Sequence, residues 1–262
     1  MIFQRWKLSV PFFIKSQKKK IVYFVVKVFF SYSYFSMEHI LDNPCWNALN
    51  SGNKNLAEGN EQVKYFPGEV APFVGLPEWN PAGFDRLFEV IPPGRRIAFM
   101  VAKEIDIPGE WEVVDYLKAF QMVHNNPPPG LTASSGIVPL QEENIPQMIA
   151  LTEMTHPGPF FKRTIEFGSY EGIFKDNELV SMAGQRLHPG EYVEISAVCT
   201  HPAYHGKGYA SQLIASQVHQ IRSASAIPFL HVKDDNLQAI KLYKSLGFEV
   251  RKQMDIYSIR KK

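Results

Sequence analysis

The chain has 262 residues, 45% of them hydrophobic, enough to bury a real core and to build two modest domains. Its formal charge of +2 is unevenly placed: residues 1–36 carry seven basic and no acidic side chains, leaving 21 basic against 26 acidic in the remainder. That mildly acidic body argues against a nucleic-acid surface, and two cysteines, Cys45 and Cys199, make neither a disulfide framework nor a zinc cluster.

In chain order, the basic run Lys18-Lys19-Lys20 leads into Ile21-Val22-Tyr23-Phe24-Val25-Val26, which Lys27 interrupts. The apolar run falls short of the roughly 20 residues a membrane span needs, and no small-residue cleavage site follows it. Residues 1–36 are therefore expected to be a non-native or disordered extension, with attachment to a membrane surface as the alternative. From Met37 the character is globular. A helix is expected over 45–57, with Asn43 as a cap ahead of Pro44, and a buried strand over 96–102; 111–123 fits strand or helix. No catalytic constellation stands out here: His39 and Cys45 are too isolated to be ligands, and Trp46, Trp79 and Trp111 are first of all packing anchors.

Three prolines, Pro127-Pro128-Pro129, and the small residues behind them mark a linker over 127–136, dividing a 37–126 portion from a 137–262 portion. The second portion alternates. A strand at 136–140 precedes a helix at 142–155 and a second helix at 160–167. Strands at 170–174 and 179–187 form a hairpin, 192–199 is a strand, and 228–232 is a short one. Helices at 211–221 and 237–246 and a final strand or pair over 249–259 complete an α/β pattern, a mixed sheet with helices on both faces.

Between the 192–199 strand and its helix lies His205-Gly206-Lys207-Gly208-Tyr209-Ala210. Two glycines at a helix mouth let the backbone approach a ligand, and the free N–H groups and dipole of the helix start suit a phosphate or pyrophosphate. Lys207 adds charge there or is simply solvated. A second block follows about thirty residues on: Asn236-x-x-Ala239-x-x-Leu242-Tyr243-x-x-Leu246-Gly247-Phe248.

Together the two blocks resemble the GNAT superfamily of acyl-CoA-dependent N-acyltransferases, over roughly half the chain. The first matches the family's Arg/Gln-x-x-Gly-x-Gly/Ala signature with His205 in place of Arg or Gln. The lead-in Val198-Cys199-Thr200-His201-Pro202 is similar to the family's strand-to-loop passage. The 37–126 portion resembles the smaller half-GNAT-like accessory domain of the glycine N-acyltransferase-like branch.

The resemblance implies a GNAT-type mixed central sheet flanked by helices, and transfer of an acetyl group from acetyl-CoA to a small-molecule or peptide amine, directly in a ternary complex. It implies that Val198, Thr200, His205, Gly206, Lys207, Gly208, Tyr209, Ala210 and Asn236 hold the cofactor, and that Tyr243 protonates the sulfur. Asn236 also fits a plain helix cap. Glu194, a carboxylate within an apolar strand, is the expected general base. Strand alternation places it on one face with Tyr192, Ser196 and Val198, and partial burial would raise its pKa. The alternative is an ion pair with Arg186 across the hairpin. No metal is expected. A cytoplasmic setting and, if the chain self-associates, a homodimer are the expected context. A non-catalytic acyl-CoA sensor is the rival function.

Overall fold

A computed structural model of the chain describes residues 39–125 and 136–262; the expectations for 1–36 and for nearly all of the 127–136 linker lie outside those residues. A 3-10 turn (Ile40–Asp42) opens the described chain; helix α1 (Pro44–Leu49) comes next, and after it a small sheet of β1 (Glu58–Gly59), β2 (Lys64–Tyr65) and β3 (Val74–Gly75). Then come α2 (Pro81–Val90), β4 (Ile97–Val101) and β5 (Trp111–His124). Beyond the linker lie β6 (Ile137–Pro139), α3 (Ile145–Thr155), β7 (Glu171–Lys175), β8 (Glu178–Gln185) and β9 (Tyr192–Thr200). Helix α4 (Tyr209–Ser223), β10 (Ile227–Lys233), α5 (Leu237–Ser245) and β11 (Phe248–Lys261) complete the chain.

One eight-stranded sheet, in the order β4-β11-β5-β10-β9-β8-β7-β6, collects strands from both sides of the linker. Strands β6 to β9 form an antiparallel meander, closed at β7–β8 by Asp176-Asn177, both with positive φ as a tight two-residue hairpin requires. Among the named strands of the described residues, β9 and β10 alone pair in parallel, because α4 carries the chain across between them. Strand β5 is inserted between β10 and β11, antiparallel to both, and pairs with β11 along nearly its whole length. The sheet is therefore mixed and covered by helices, as expected.

One face of the sheet packs Leu41, Phe73, Met148, Met182 and Phe229 into a core with α1 and α3. The other packs Ile195, Ile214, Val218, Leu230, Tyr243 and Phe248 beneath α4 and α5. Apolar residues at helical spacing on α4 (Leu213, Ile214, Val218 and Ile221, all buried) drive that docking.

Local expectations gave way to tertiary contacts in three places. The 45–57 helix stops at Leu49, since Ser51, Gly52 and Asn53 turn to bond the 186–188 segment: Gly52 donates to the His188 carbonyl at 3.0 Å, and Asn53 Oδ1 accepts from His188 N–H at 2.7 Å. Asn43 does not cap α1, because its side-chain amide donates to the Leu76 carbonyl instead. The 160–167 helix is reduced to a 3-10 turn, Thr164–Phe167, whose start is tied to the early chain by Thr164 Oγ1 donating to Val70 O and by Arg163 N–H donating to Glu69 O. The final segment is one long strand, and 111–124 is strand rather than helix.

Candidate active site

Strands β9 and β10 pair only from Tyr192↔Ile227 to Glu194↔Phe229, although β9 runs on to Thr200 and β10 to Lys233. Past Glu194 the two parallel strands part, while β10 stays paired to β5 as far as Lys233. The parting opens at the carboxyl ends of the strands, where open α/β sheets bind their ligands.

A bulge accompanies the opening. On β8 the partners step from Met182↔Cys199 to Gly184↔Ser196, and between them Ala197 takes φ +52°. A left-handed conformation at an alanine costs about 1–2 kcal/mol. The extra residue also inverts the faces of the strand. Val198 packs with Val193 and Ile195 toward α4 and α5, and Ala197 and Cys199 lie on the opposite side. The simple alternation that put Val198 beside Glu194 is thus corrected: one inserted residue shifts every later side chain to the other face. His201 N–H donates to Val180 O, so alternation turns the backbone groups of Val198 and Thr200 away from β8, toward the opening. The Val198 amide faces the place where a strand partner is missing.

At the same end of the sheet, Gly206 and Gly208 both sit at φ +76°. A Cβ added at Gly206 would meet no protein atom within 4 Å, and one at Gly208 only the Gln212 side chain at 3.8 Å. The turn is therefore open on its outer side. Gly208 is the N-cap of the 15-residue helix α4 and offers no side-chain cap, so the first N–H groups of the helix face outward. His205 Nε2 donates to the Thr200 carbonyl at 2.9 Å and ties the loop to the end of β9. The Thr200 hydroxyl bonds Ser181 Oγ at 2.7 Å. Lys207 Nζ lies 4.4 Å from the Tyr204 ring centroid, and Tyr204 stacks near Tyr209. Tyr209 and Ala210 form the first turn of α4.

Asn236 caps α5, its Oδ1 accepting from Ala239 N–H at 3.1 Å. Tyr243 is buried in the same apolar cluster that Val198 packs against, and its ring meets Phe248 edge-on at 6.0 Å. Burial pushes its hydroxyl up to about 12. It is therefore protonated at neutral pH.

Glu194 corrects the expectation made for it. Its side chain is 0% exposed and takes two hydrogen bonds from Arg186, Nε to Oε2 at 2.8 Å and Nη2 to Oε1 at 2.6 Å. His231 Nδ1 approaches Oε1 at 2.7 Å. Behind it, Gln121 Oε1 accepts from Arg251 Nε at 2.5 Å, and its Nε2 donates to the Leu41 carbonyl at 2.9 Å. That fixes the amide, so Nε2 also donates to His231 Nε2 at 3.0 Å, and the ring carries its proton on Nδ1, toward Glu194. Burial alone would raise the carboxyl pKa. The Arg186 charge and hydrogen bonds, with those of His231, outweigh it and hold Glu194 far below the usual carboxylate range. A carboxylate so held is a poor proton acceptor. The ion pair with Arg186, weighed as the alternative, is the arrangement the fold makes.

Arg186 also lines a narrow recess with Pro157, Pro159, Tyr170, Ser196 and Ala197, beside the bulge. Its Nη1 has no partner among the described residues. Gln121 and His231 belong to no motif and were not among the expected site residues; only the strand register brings them to Glu194. Among the described residues no group of His, Cys, Asp and Glu could hold a metal, and no helix is long and apolar enough to cross a membrane.

A mixed sheet parted between its parallel strands, with an uncapped glycine-rich helix start at the mouth, defines an α/β protein with an anion-suited opening at the carboxyl ends of its strands. The FR47-like protein family model matches residues 170–256. A solved structure described as an acetyltransferase of the GNAT family, from Novosphingobium aromaticivorans, is 30% identical, with a TM-score of 0.80 over 86% of this chain and 100% of that one. The chain belongs to the GNAT family. A GCN5-related N-acetyltransferase from Kribbella flavida shares the fold at 13% identity, with a TM-score of 0.52 over 77% of this chain and 88% of that one. An uncharacterized protein of Mycobacterium leprae is 35% identical over 99 residues, a stretch covering 36% of this chain and 27% of that protein.

Proposed function

We propose that the chain moves an acetyl group from acetyl-CoA to a primary amine, directly and within a ternary complex. The parting of β9 from β10 beside the open glycine turn carries this reading. The cradle fits the co-substrate: outward amides from Gly206 to Ala210 would hold its diphosphate, and Asn236 its pantetheine arm. The Val198 amide polarises the thioester carbonyl. The amine enters from the recess at Ala197, its nitrogen bonds to the acetyl carbon, and the carbon–sulfur bond breaks. Tyr243, protonated at pH 7, donates a hydrogen bond to the departing sulfur. Giving its proton up entirely to a thiolate of ordinary pKa, about 8.5, would be uphill by roughly 5 kcal/mol. The proton that the sulfur keeps is therefore the one the amine sheds, through water. Glu194 acts as a positioning residue, holding Arg186 and His231 beside the reacting atoms.

The 37–126 portion, an accessory half in this reading, supplies β5 to the sheet and Phe73 against the Arg186 guanidinium, and so shapes the acceptor side of the 137–262 domain. Two buried free cysteines suit a reducing compartment, and we assign the chain to the cytoplasm. A panel of primary amines with acetyl-CoA, read as free thiol released, tests the reading. Release that depends on the amine supports it. Tight CoA binding with no release from any amine would make the chain a sensor.

A further inference from the structure

Under the acyl-transfer reading, on which this inference rests, the recess beside the bulge limits which amine the opening takes. Arg186, Ser196 and Ala197 line it together. The pairing of Gly184 with Ser196, and the Arg186 N–H donating to the Glu194 carbonyl at 3.0 Å, hold Arg186 next to the bulge. The Val198 amide follows Ala197 directly. An amine placed for attack there has its next atoms beside the guanidinium.

Arg186 is engaged on every side but one. Glu194 takes Nε and Nη2, and the Phe73 ring centroid lies 4.8 Å from the guanidinium carbon. Nη1 is left over. It has no partner among the described residues, yet the fold does not close it off from solvent, and the side chain keeps 13% of its surface. Guanidinium N–H groups only donate, so Nη1 calls for an acceptor. The Tyr170 hydroxyl, on the same recess, is likewise unpartnered among the described residues and not closed off. Its ring is locked in place: it meets Phe160 edge-on at 5.7 Å, and a Cβ on Gly184 would strike it at 2.3 Å.

Charge decides which acceptor fits. Arg186 is the one charged residue among the described residues of the lining, and Glu194 already matches its charge at 2.6 Å. The third member of the cluster, His231, directs its Nδ1 proton to Glu194 and its Nε2 lone pair to Gln121, so its ring is neutral. A carboxylate entering the recess would set two anions against one cation away from water, a cost that a neutral oxygen avoids. A carbonyl oxygen satisfies Nη1 and adds no charge. Pro157, Pro159 and Phe160 keep the recess narrow, which suits a single oxygen and not a bulky group.

We propose that the acceptor is an α-amino amide, the group carried by a peptide N-terminus or by a small free amide. Its α-carbonyl accepts from Arg186 Nη1 while its amine stands at Ala197. Transfer joins the amine nitrogen to the acetyl carbon and frees CoA, whose sulfur keeps the proton that the amine sheds.

Thiol release by the full chain with acetyl-CoA tests this, comparing glycinamide with glycine, which carries a carboxylate, and with ethylamine, which lacks a carbonyl. With rates referred to the unprotonated amine, kcat/KM for glycinamide should exceed both by about tenfold or more, the worth of one hydrogen bond to a charged group. Glycine used as well as glycinamide, or ethylamine used as well, would overturn the proposal. Triglycinamide separates the two sources: turnover like that of glycinamide supports a peptide N-terminus, and rejection supports a small free amide. Arg186→Lys keeps a cation facing Glu194 but removes the fork, so the lead of glycinamide over ethylamine should vanish. A folded variant with that lead intact would also overturn the proposal; if the variant does not fold, the amine series on the parent chain decides. Calorimetric titration of the CoA-bound chain with the three amines reads the same order without turnover. Absence of thiol release would therefore end the acyl-transfer reading, whereas glycinamide binding no better than ethylamine would end the acceptor assignment alone.

Discussion

Glu194→Gln separates a positioning carboxylate from a general base. In the fold the carboxylate is wholly buried and faces a guanidinium on one side and a histidine N–H on the other. The amide keeps the shape but brings its own N–H₂ against one of those donors and removes the charge that offsets Arg186. Breaking a buried pair by removing one partner costs about 3–5 kcal/mol, because the remaining charge is left uncompensated. In a unit of this size 1 kcal/mol moves the melting temperature by about 2–4 °C, so a drop on the order of 6–20 °C is expected. Thermal melts read it, and denaturant midpoints at fixed slope confirm that stability has changed. The pair replaced as a unit, Arg186→Met with Glu194→Leu, should recover most of the loss. A base would behave otherwise. If Glu194→Gln left stability within about 1 kcal/mol of the parent while kcat fell by two orders of magnitude, the positioning role would be wrong.

The same carboxyl sets a pH signature. Its pKa is lower in the folded chain than the value near 4.3 of an unfolded glutamate. The unfolded chain therefore binds the proton first, and this stabilisation is complete above about pH 4.3 and lost as the pH falls further. The rate profile should show no acidic limb near pH 6 from Glu194.

Other predictions concern the opening itself. Tyr243→Phe keeps the buried ring and its contact with Phe248, so the melting temperature should hardly move, while kcat falls by about 10²-fold through loss of a hydrogen bond to the developing thiolate; unchanged turnover would remove Tyr243 from the reaction. Gly206→Val puts a branched side chain at φ +76° in a turn with no protein neighbours, so CoA affinity measured by calorimetry should collapse, while stability falls by only about 1–2 kcal/mol. Ala197→Val places a β-branched residue at φ +52° and should cost at least about 2 kcal/mol in chemical denaturation.

What the chain spells out locally, it spells out clearly. The glycine turn, α4, the Asn236 cap and the Asp176-Asn177 hairpin rest on neighbours in sequence, and short-range rules suffice for them. The environment of Glu194 is different because it is assembled by register. Parallel pairing sets Phe229 opposite Glu194, so His231, two residues on, shares its side of the sheet; antiparallel pairing sets Gln121 opposite His231. Each step depends on β5 entering the sheet between β10 and β11, a choice made across more than a hundred residues of chain. Arg186 alone was visible in advance, at hairpin distance. The bulge at Ala197 was not, since neither glycine nor proline announces it and Val198-Cys199 reads as ordinary strand. These two invisible features act on one strand and reinforce each other. The clamp fixes β9 up to Glu194, the last residue paired with β10, and the bulge turns the following amide outward at once. A strand held rigidly to that point and released just beyond it is what keeps the recess lined by Ser196 and Ala197 and the outward backbone of Val198 within a few residues of each other.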